Sequence, residues 1–170
     1  MNERIYLIGY MAAGKTTVGR ELAALLGYTF FDLDDLIEQA TGKTIAMLFD
    51  LPDGKEFRAI EKEILQKTFS LTETVIACGG GTPCFFDNGD AMKTRGTVVW
   101  VKPGLQTIIS RLKAVKHSRP LLAGIADEDL PQTVLQHYRE REKCYGSAHI
   151  VYNPDEQTMQ WLAGCIRMNK

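Results

Sequence analysis

The sequence lacks the features that mark several classes of protein. Its 170 residues carry 20 Lys and Arg against 21 Asp and Glu, a formal net charge of −1, so no overall positive charge would attract nucleic acid or an anionic membrane. No apolar run approaches the roughly 20 residues of a membrane span, and the first apolar run is too short for a signal peptide. We therefore expect a cytoplasmic protein that binds neither nucleic acid nor membranes.

Cysteine is scarce as well, with four residues and no Cys-x-x-Cys pair among them. The three histidines are too few and too scattered to complete a zinc site with these cysteines. We expect free, partly buried thiols in a reducing compartment. The cysteines are Cys78, Cys84, Cys144 and Cys165.

The sequence does contain an alternation of short apolar runs with longer helical patterns. This alternation predicts βαβ units, and therefore a parallel sheet with helices on both of its faces. A hydrophobic content of 45% and the absence of repeats or linker-like segments fit one compact domain over residues 1–170. The predicted strands are 5–8, 29–33, 75–78, 97–101 and 150–152, and the predicted helices are 15–26, 35–40, 55–69, 105–113, 130–143 and 155–168.

One short segment has the pattern of a phosphate-binding loop. Residues Gly9 to Thr16 match G-x-x-x-x-G-K-[ST] without a gap. The segment lies between a predicted strand and a predicted helix, where backbone N–H groups and the helix N-terminus bind phosphate. Lys15 would reach the terminal phosphates, and the Thr16 hydroxyl would bind Mg²⁺. The alternative, a glycine turn that only joins a strand to a helix, does not account for the Lys-Thr pair.

Such a P-loop alone does not distinguish a kinase from a GTPase or a motor protein. The sequence has no N-K-x-D guanine motif, and motor ATPases are much longer. Residues 117–129 have no clear periodicity and contain Pro120, Gly124 and three acidic residues. A loop of this length in a compact domain is usually functional or disordered, and we expect a mobile lid. Small size and a lid favour phosphoryl transfer to a small acceptor.

Two groups of charged residues are candidates for the acceptor site. Asp32 and Asp34 are two apart, so on an extended segment their carboxylates would lie on one side, at the sheet edge where α/β proteins bind ligands. A solvated turn or a helix cap is the alternative. Arg58 lies one helical turn before Glu61, and the residues alone favour a surface ion pair. Arg141 lies in a charged run, where the residues alone favour a solvated helix face.

These fragments, in their order and at their intervals, resemble the shikimate kinase family, and the resemblance extends over almost the whole chain. It implies a P-loop NTPase fold: a three-layer α/β/α sandwich around a five-stranded parallel sheet in the order 2-3-1-4-5. Each fragment alone is weak, whereas six in order are specific. They are Gly14-Lys15-Thr16-Thr17-Val18-Gly19-Arg20, Phe31-Asp32-Leu33-Asp34, Phe57-Arg58 with Glu61, Gly79-Gly80-Gly81, Arg119-Pro120-Leu121-Leu122, and Arg141 four residues before Tyr145.

The resemblance implies an activity, which is transfer of the ATP γ-phosphoryl group to the 3-hydroxyl of shikimate in the pathway to chorismate and the aromatic amino acids. It implies one Mg²⁺ ion, a monomer, an acceptor-binding subdomain at 33–61 and a lid at 113–129. The implied catalytic residues are Lys15, Asp34 and Arg119. The implied ATP-binding residues are Ala12, Ala13, Gly14, Lys15, Thr16, Thr17, Arg111 and Arg119. The implied metal-binding residues are Thr16 and, through water, Asp32.

The resemblance also implies which residues bind shikimate. Arg58 and Arg141 would grip its carboxylate, and Arg141 fits the spacing to the tyrosine better than Arg139 does. Phe49 and Phe57 are expected to be partly core, although the family also uses these positions to wall the acceptor pocket. Arg111 would stack on adenine, with residues 153–154 on the opposite side. The implied shikimate-binding residues are Asp34, Arg58, Gly79, Gly80, Gly81 and Arg141.

Two positions depart from the family pattern. Ala12 stands where the family usually has a glycine, so this position must accept a Cβ atom. Asp53-Gly54-Lys55 replaces the usual glycine-glutamate and would alter a local turn. Two other functions remain open: a gluconate or nucleoside monophosphate kinase, and a nucleotide-binding module without enzymatic activity.

Overall fold

A computed structural model describes residues 3–50, 54–115 and 124–169. Two of the features predicted from the sequence lie outside these residues. The first is Arg119, with the rest of the fragment Arg119-Pro120-Leu121-Leu122 in the predicted lid. The second is Asp53, the first residue of the Asp53-Gly54-Lys55 departure from the family pattern.

The centre of the fold is a parallel sheet in the order β2-β3-β1-β4-β5. Every pair of neighbouring strands runs parallel. The five-stranded sheet and its order therefore confirm the prediction. The strands are β1 (Arg4–Ile8), β2 (Thr29–Asp32), β3 (Thr74–Ala77), β4 (Thr97–Val101) and β5 (Ile150–Tyr152).

Helices cover both faces of this sheet. The side chains of β1 alternate between the faces: Tyr6 and Ile8 belong to one apolar cluster, and Ile5 and Leu7 belong to the other. All four are at most 1% exposed, so the central strand is buried on both sides and the three-layer prediction is confirmed. The helices are α1 (Lys15–Leu26), α2 (Leu33–Thr41), α3 (Ile45–Phe49), α4 (Lys55–Lys67), α5 (Asn88–Arg95), α6 (Leu105–Val115), α7 (Leu130–Tyr145) and α8 (Met159–Met168).

The structure corrects several predicted bounds. Leu33 begins α2 instead of ending β2, because the Asp32 carboxylate caps the helix by accepting a hydrogen bond from the Asp34 N–H. Helix α8 begins at Met159 and not at residue 155, because the Thr158 hydroxyl caps it. Helices α3 and α5 were not predicted. The first has only five residues, and the second is mostly polar and contains Gly89, so neither shows an apolar period.

The thiols agree with the prediction. All four cysteines are free, with Cys78 buried and the other three partly exposed. Burial raises the pKa of the Cys78 thiol, which is therefore protonated at neutral pH. Among the described residues, no helix is both long and apolar enough to cross a membrane.

Candidate active site

Two adjoining cavities open at the carboxyl ends of β1, β2 and β3, the edge where parallel α/β sheets bind ligands. The first, here called the phosphate cavity, has a volume of about 280 Å³ and is lined by Lys15, Thr16 and Asp32 among others. The second, the arginine cavity, has a volume of about 310 Å³ and is lined by Arg58 and Arg141 among others. The two cavities share a wall made of Met11, Asp34, Gly79 and Gly80.

The phosphate cavity is built around the predicted P-loop, which joins β1 to the start of α1. Gly14 caps α1 in the left-handed conformation, with φ 95°, which favours glycine. The Lys15 ammonium group donates hydrogen bonds of 2.9 Å to the carbonyl oxygens of Gly9 and Tyr10, so its side chain folds back along the loop. The end of a helix and a lysine therefore face the same space, which is the arrangement that binds phosphate.

The other predicted ATP-binding residues lie in or beside this loop. Ala12 and Gly14 line the phosphate cavity. Ala13 is buried, and Thr17 is exposed and does not line the cavity. Arg111 reaches the loop from α6: one of its guanidinium nitrogens donates to the carbonyl oxygens of Ala12, at 3.1 Å, and Ala13, at 3.2 Å. The guanidinium is thereby fixed against the outer side of the P-loop. Its stacking on adenine stays a prediction.

Ala12, which stands where the family usually has a glycine, has a backbone conformation that favours glycine. Its φ is 59°, in the left-handed region that costs a residue with a Cβ atom roughly 1–2 kcal/mol. The position therefore accepts the methyl group at the cost of backbone strain.

Thr16 and Asp32 lie together at the mouth of the phosphate cavity. The Thr16 hydroxyl donates to one oxygen of the Asp32 carboxylate at 2.8 Å, and the other oxygen accepts from the Asp34 N–H at 3.1 Å. Among the described residues, no group of three or more His, Cys, Asp or Glu side chains could hold a metal ion. One hydroxyl and one carboxylate nevertheless fit Mg²⁺, because this ion usually takes few protein ligands and completes its shell with phosphates and water.

Asp32 and Asp34 line the same cavity, as the sequence predicted, although for a different reason. The prediction assumed an extended segment, whereas Asp34 lies in the first turn of α2. The helix N-terminus stabilises the carboxylate there. The proposed alternative, a helix cap, is correct for Asp32 as well, so this residue caps α2 and faces the cavity at the same time.

In the arginine cavity, the Arg58 side chain is held by an ion pair. One guanidinium nitrogen donates to Glu61 at 2.7 Å, and the side chains of Arg58 and Glu61 are 12% and 1% exposed. The surface ion pair that the sequence left open is therefore wrong. The second carboxylate oxygen of Glu61 accepts from the Thr82 hydroxyl at 2.7 Å. The buried carboxylate is thus hydrogen-bonded through both oxygens, which offsets the cost of its burial.

Aromatic rings surround the Arg58 guanidinium. Its central carbon lies 4.0 Å from the centroid of the Phe85 ring, 4.9 Å from Phe57 and 5.4 Å from Phe49. Phe57 is 2% exposed, and both Phe49 and Phe57 line the arginine cavity. Phe57 belongs to the core, Phe49 packs against it, and both rings also line the cavity.

Arg141 lines the arginine cavity from α7, whereas Arg139 is exposed and is not part of its lining. The position of Arg141 supports the choice between the two. Its guanidinium carbon lies 5.7 Å from the centroid of the Tyr10 ring in the P-loop. The hydroxyl of Tyr145, one turn later, donates to the Gly80 carbonyl oxygen at 2.5 Å. This bond ties α7 to the glycine segment after β3.

Burial raises the pKa of both tyrosines in this region, to about 12 for Tyr10. Both phenols therefore stay protonated, and Tyr145 remains a hydrogen-bond donor at any pH at which a kinase works.

The glycines after β3 leave room for neighbours that a side chain would displace. A Cβ atom on Gly81 would lie 2.8 Å from a guanidinium nitrogen of Arg58, and one on Gly80 would lie 3.2 Å from the backbone nitrogen of Met11. Gly80 thus lets the P-loop approach, and Gly81 lets Arg58 approach. Gly79, Gly80 and Gly81 all line the arginine cavity, and their contact with shikimate stays a prediction.

Several residues of the site were missed by sequence reasoning. Phe85 belongs to a Phe-Phe pair that follows the glycine segment, and this pair was the only signal for it. Met11 occupies one of the unspecified positions of the P-loop motif, so the motif gave no signal for it. The remaining missed residues also line the arginine cavity: Glu38 on α2, which accepts a hydrogen bond from the Ile45 N–H, and Thr44, Ile45 and Ala46 at the start of the unpredicted helix α3.

Comparisons with known proteins agree with one another. A family model described as Shikimate kinase matches residues 11–168. A shikimate kinase of Parabacteroides distasonis is 38% identical over 154 residues, which is 91% of this chain and 89% of that protein. A crystal structure of the shikimate kinase of Bacteroides thetaiotaomicron is 34% identical with a TM-score of 0.86, and covers 99% of this chain and 97% of that one. The shikimate kinase of Acinetobacter baumannii, solved in complex with shikimate, has the same identity and TM-score and covers 99% and 93%.

Proposed function

The chain belongs to the shikimate kinase family and is an ATP-dependent kinase, and we propose that it transfers the γ-phosphoryl group of ATP to the 3-hydroxyl of shikimate, giving shikimate 3-phosphate and ADP. One observation carries the assignment of roles to residues. The phosphate cavity and the arginine cavity meet at a common wall that contains Asp34. A phosphate in the first cavity and a hydroxyl in the second would therefore approach each other beside a carboxylate.

The phosphate cavity holds ATP in this proposal. The P-loop and Lys15 bind the phosphates, and Lys15 also stabilises the charge that develops on the transferred group. Mg²⁺ would be bound by Thr16 and, through water, by Asp32, and would neutralise phosphate charge. Arg111, held against the P-loop, would border the adenine.

The arginine cavity holds shikimate. Arg58 and Arg141 bind its carboxylate, because a planar guanidinium can donate two parallel hydrogen bonds to it. Gly79 to Gly81 face its hydroxyl groups, and Asp34 accepts the proton of the attacking 3-hydroxyl. The structure of the Acinetobacter baumannii relative with shikimate bound supports the choice of ligand.

The remaining assignments follow the resemblance. In this proposal residues 33–61 would serve as the acceptor-binding subdomain, residues 113–129 would serve as a lid, and Arg119 would act on the phosphates. The working unit is a monomer in this proposal, as the resemblance implies.

A coupled assay of ADP release tests the activity and the first alternative function together. Shikimate, gluconate and nucleoside monophosphates are each supplied with ATP and Mg²⁺, and the product is identified by mass and phosphorus NMR. We expect turnover with shikimate and a phosphate ester at its 3-hydroxyl. Preference for gluconate or a nucleoside monophosphate would overturn the acceptor, and tight ATP binding without turnover of any acceptor would favour the non-enzymatic module.

A further inference from the structure

The segment from Gly81 to Phe85 contacts Arg58 at both of its ends. At the first end, the absence of a Cβ on Gly81 leaves space for the guanidinium, whose nitrogen lies 2.8 Å from the position a Cβ would take. At the other end, the Phe85 ring centroid lies 4.0 Å from the guanidinium carbon. This is the shortest distance between a cation and a ring described for this protein. In between, the Thr82 hydroxyl holds Glu61, the ion-pair partner of Arg58.

The segment has a fixed shape. Residues Thr82–Cys84 form a 3₁₀ turn in which the Cys84 N–H donates to the Gly81 carbonyl oxygen at 2.9 Å. The side-chain amide of Asn88, which is 1% exposed, donates to the Thr82 carbonyl oxygen at 3.0 Å. These bonds return the chain toward α4 and place Phe85 over Arg58, although the ring itself is 40% exposed.

We propose that Phe85 is a positioning residue for shikimate: its ring holds the Arg58 guanidinium in the orientation that binds the substrate carboxylate. The proposal rests on the function proposed above. Phe85 is not part of the lining of the arginine cavity, so it acts through Arg58 and not by touching the acceptor. One guanidinium nitrogen donates a hydrogen bond to Glu61. The ring holds the plane of the guanidinium and therefore the direction of its remaining N–H groups.

Two physical effects follow from a ring at this distance. The cation–π attraction stabilises the guanidinium in one orientation. The ring also removes water from one face of the cation, and charge-assisted hydrogen bonds are stronger where water is excluded. Both effects strengthen binding of a carboxylate by Arg58, and neither reaches the phosphate cavity. The loss of Phe85 should therefore raise the KM for shikimate and leave kcat and the KM for ATP nearly unchanged.

The neighbouring residue supplies a matched control. Phe86 is 63% exposed, and its ring lies 5.1 Å from the Lys62 ammonium group. It therefore also makes a cation–π contact, but with a cation outside the arginine cavity. Phe86→Leu removes the same number of atoms from the same short segment without touching Arg58.

The experiment measures kcat and KM for Phe85→Leu, Phe85→Tyr and Phe86→Leu, after the wild-type enzyme has been shown to phosphorylate shikimate. Phe85→Leu should raise the KM for shikimate about 3- to 30-fold, the range of a cation–π contact, with kcat within about twofold. Phe85→Tyr keeps the ring and should restore the wild-type KM, and Phe86→Leu should resemble the wild type. An unchanged KM in Phe85→Leu, no rescue by tyrosine, or an equal effect in Phe86→Leu would each overturn the proposal.

A double-mutant cycle with Arg58→Lys tests whether Phe85 acts through Arg58. Lysine cannot present a planar fork, so Phe85→Leu should raise the KM far less in that background than in the wild type. Shikimate methyl ester, which has no carboxylate charge, should show the same reduced dependence on Phe85. Full additivity of the two substitutions would overturn the proposal. A wild-type enzyme that fails to phosphorylate shikimate would instead overturn the proposed function, so the two failures are distinct.

Discussion

The phosphate cavity and the arginine cavity share a wall but are built in different ways. The phosphate cavity depends mainly on one continuous segment, the P-loop from Gly9 to Thr16, and the N-terminal end of α1 that follows it. The arginine cavity draws its side chains from α2, α3, α4, the glycine segment after β3 and α7. Its key cation, Arg58, is held by an ion pair and aromatic rings.

Because of this difference, we expect the two cavities to differ in which substitutions they tolerate. Backbone groups bind phosphate whatever side chains accompany them, so the phosphate cavity should depend on few side chains. The arginine cavity is lined by side chains held by distant neighbours, so under the proposed function small changes of shape there should weaken acceptor binding selectively. The following predictions test this contrast, beginning with the largest expected effect.

Lys15→Ala should have the largest effect, because it removes the one side-chain cation of the P-loop. We expect kcat to fall by at least about 10²–10³-fold, the usual loss when one group that stabilises the transition state is deleted. Lys67→Ala is a matched control, since Lys67 is 64% exposed and pairs with Glu63 on the surface of α4. Steady-state kinetics decides the matter, and a variant within tenfold of the wild type would remove Lys15 from the catalytic residues.

Arg141→Ala should act on the other cavity alone. Hydrogen bonds to a charged group contribute about 1.5–3 kcal/mol, so the KM for shikimate should rise about 10- to 100-fold while the KM for ATP stays within twofold. Arg139→Ala, two residues earlier on the same helix and exposed, should resemble the wild type. Equal effects of the two substitutions would show that net charge matters and that the position of Arg141 does not.

Gly81→Ala should weaken the acceptor site by shape alone. The new Cβ atom would lie 2.8 Å from a nitrogen of Arg58, so the guanidinium must move, and we expect the KM for shikimate to rise about tenfold because small misplacements of binding groups are costly. Gly164→Ala in α8 is the control, since a Cβ atom at this position would point into open space. If Gly81→Ala binds shikimate normally, the close approach of Arg58 is not required.

Ala12→Gly should have the smallest effect and should appear in stability instead of acceptor binding. Glycine relieves the strain at φ 59° but adds conformational freedom to the unfolded chain, so we expect the free energy of unfolding to rise by only about 0.5 kcal/mol. Urea denaturation without ligands measures this change. A clear loss of stability would mean that the methyl group makes packing contacts that outweigh the strain.

The sequence predicted the phosphate side well, because its signals are local. Helix α1 has the predicted bounds, since the P-loop glycine before it and Gly27 after it specify both ends. Thr16, Lys15 and Asp32 lie together as expected, although the helix that begins at Leu33 was predicted two residues too late.

The arginine side could not be derived in the same way. Residue patterns alone left Arg58 and Glu61 as a surface pair, because their burial depends on Thr82 and Phe85, which are more than 20 residues away along the chain. The resemblance to a family identified Arg58 and Arg141, but it gave no indication of Phe85. Contacts between segments that are far apart in sequence, and a helix as short as α3, leave no periodic signal to read.

The wall that the two cavities share has a consequence for inhibitor design. Two of its four residues are glycines, so little side-chain bulk separates the cavities. A bisubstrate compound that joins a phosphate mimic to a cyclic carboxylic acid would occupy both at once, and its affinity would gain from the high effective concentration of the second half once the first is bound.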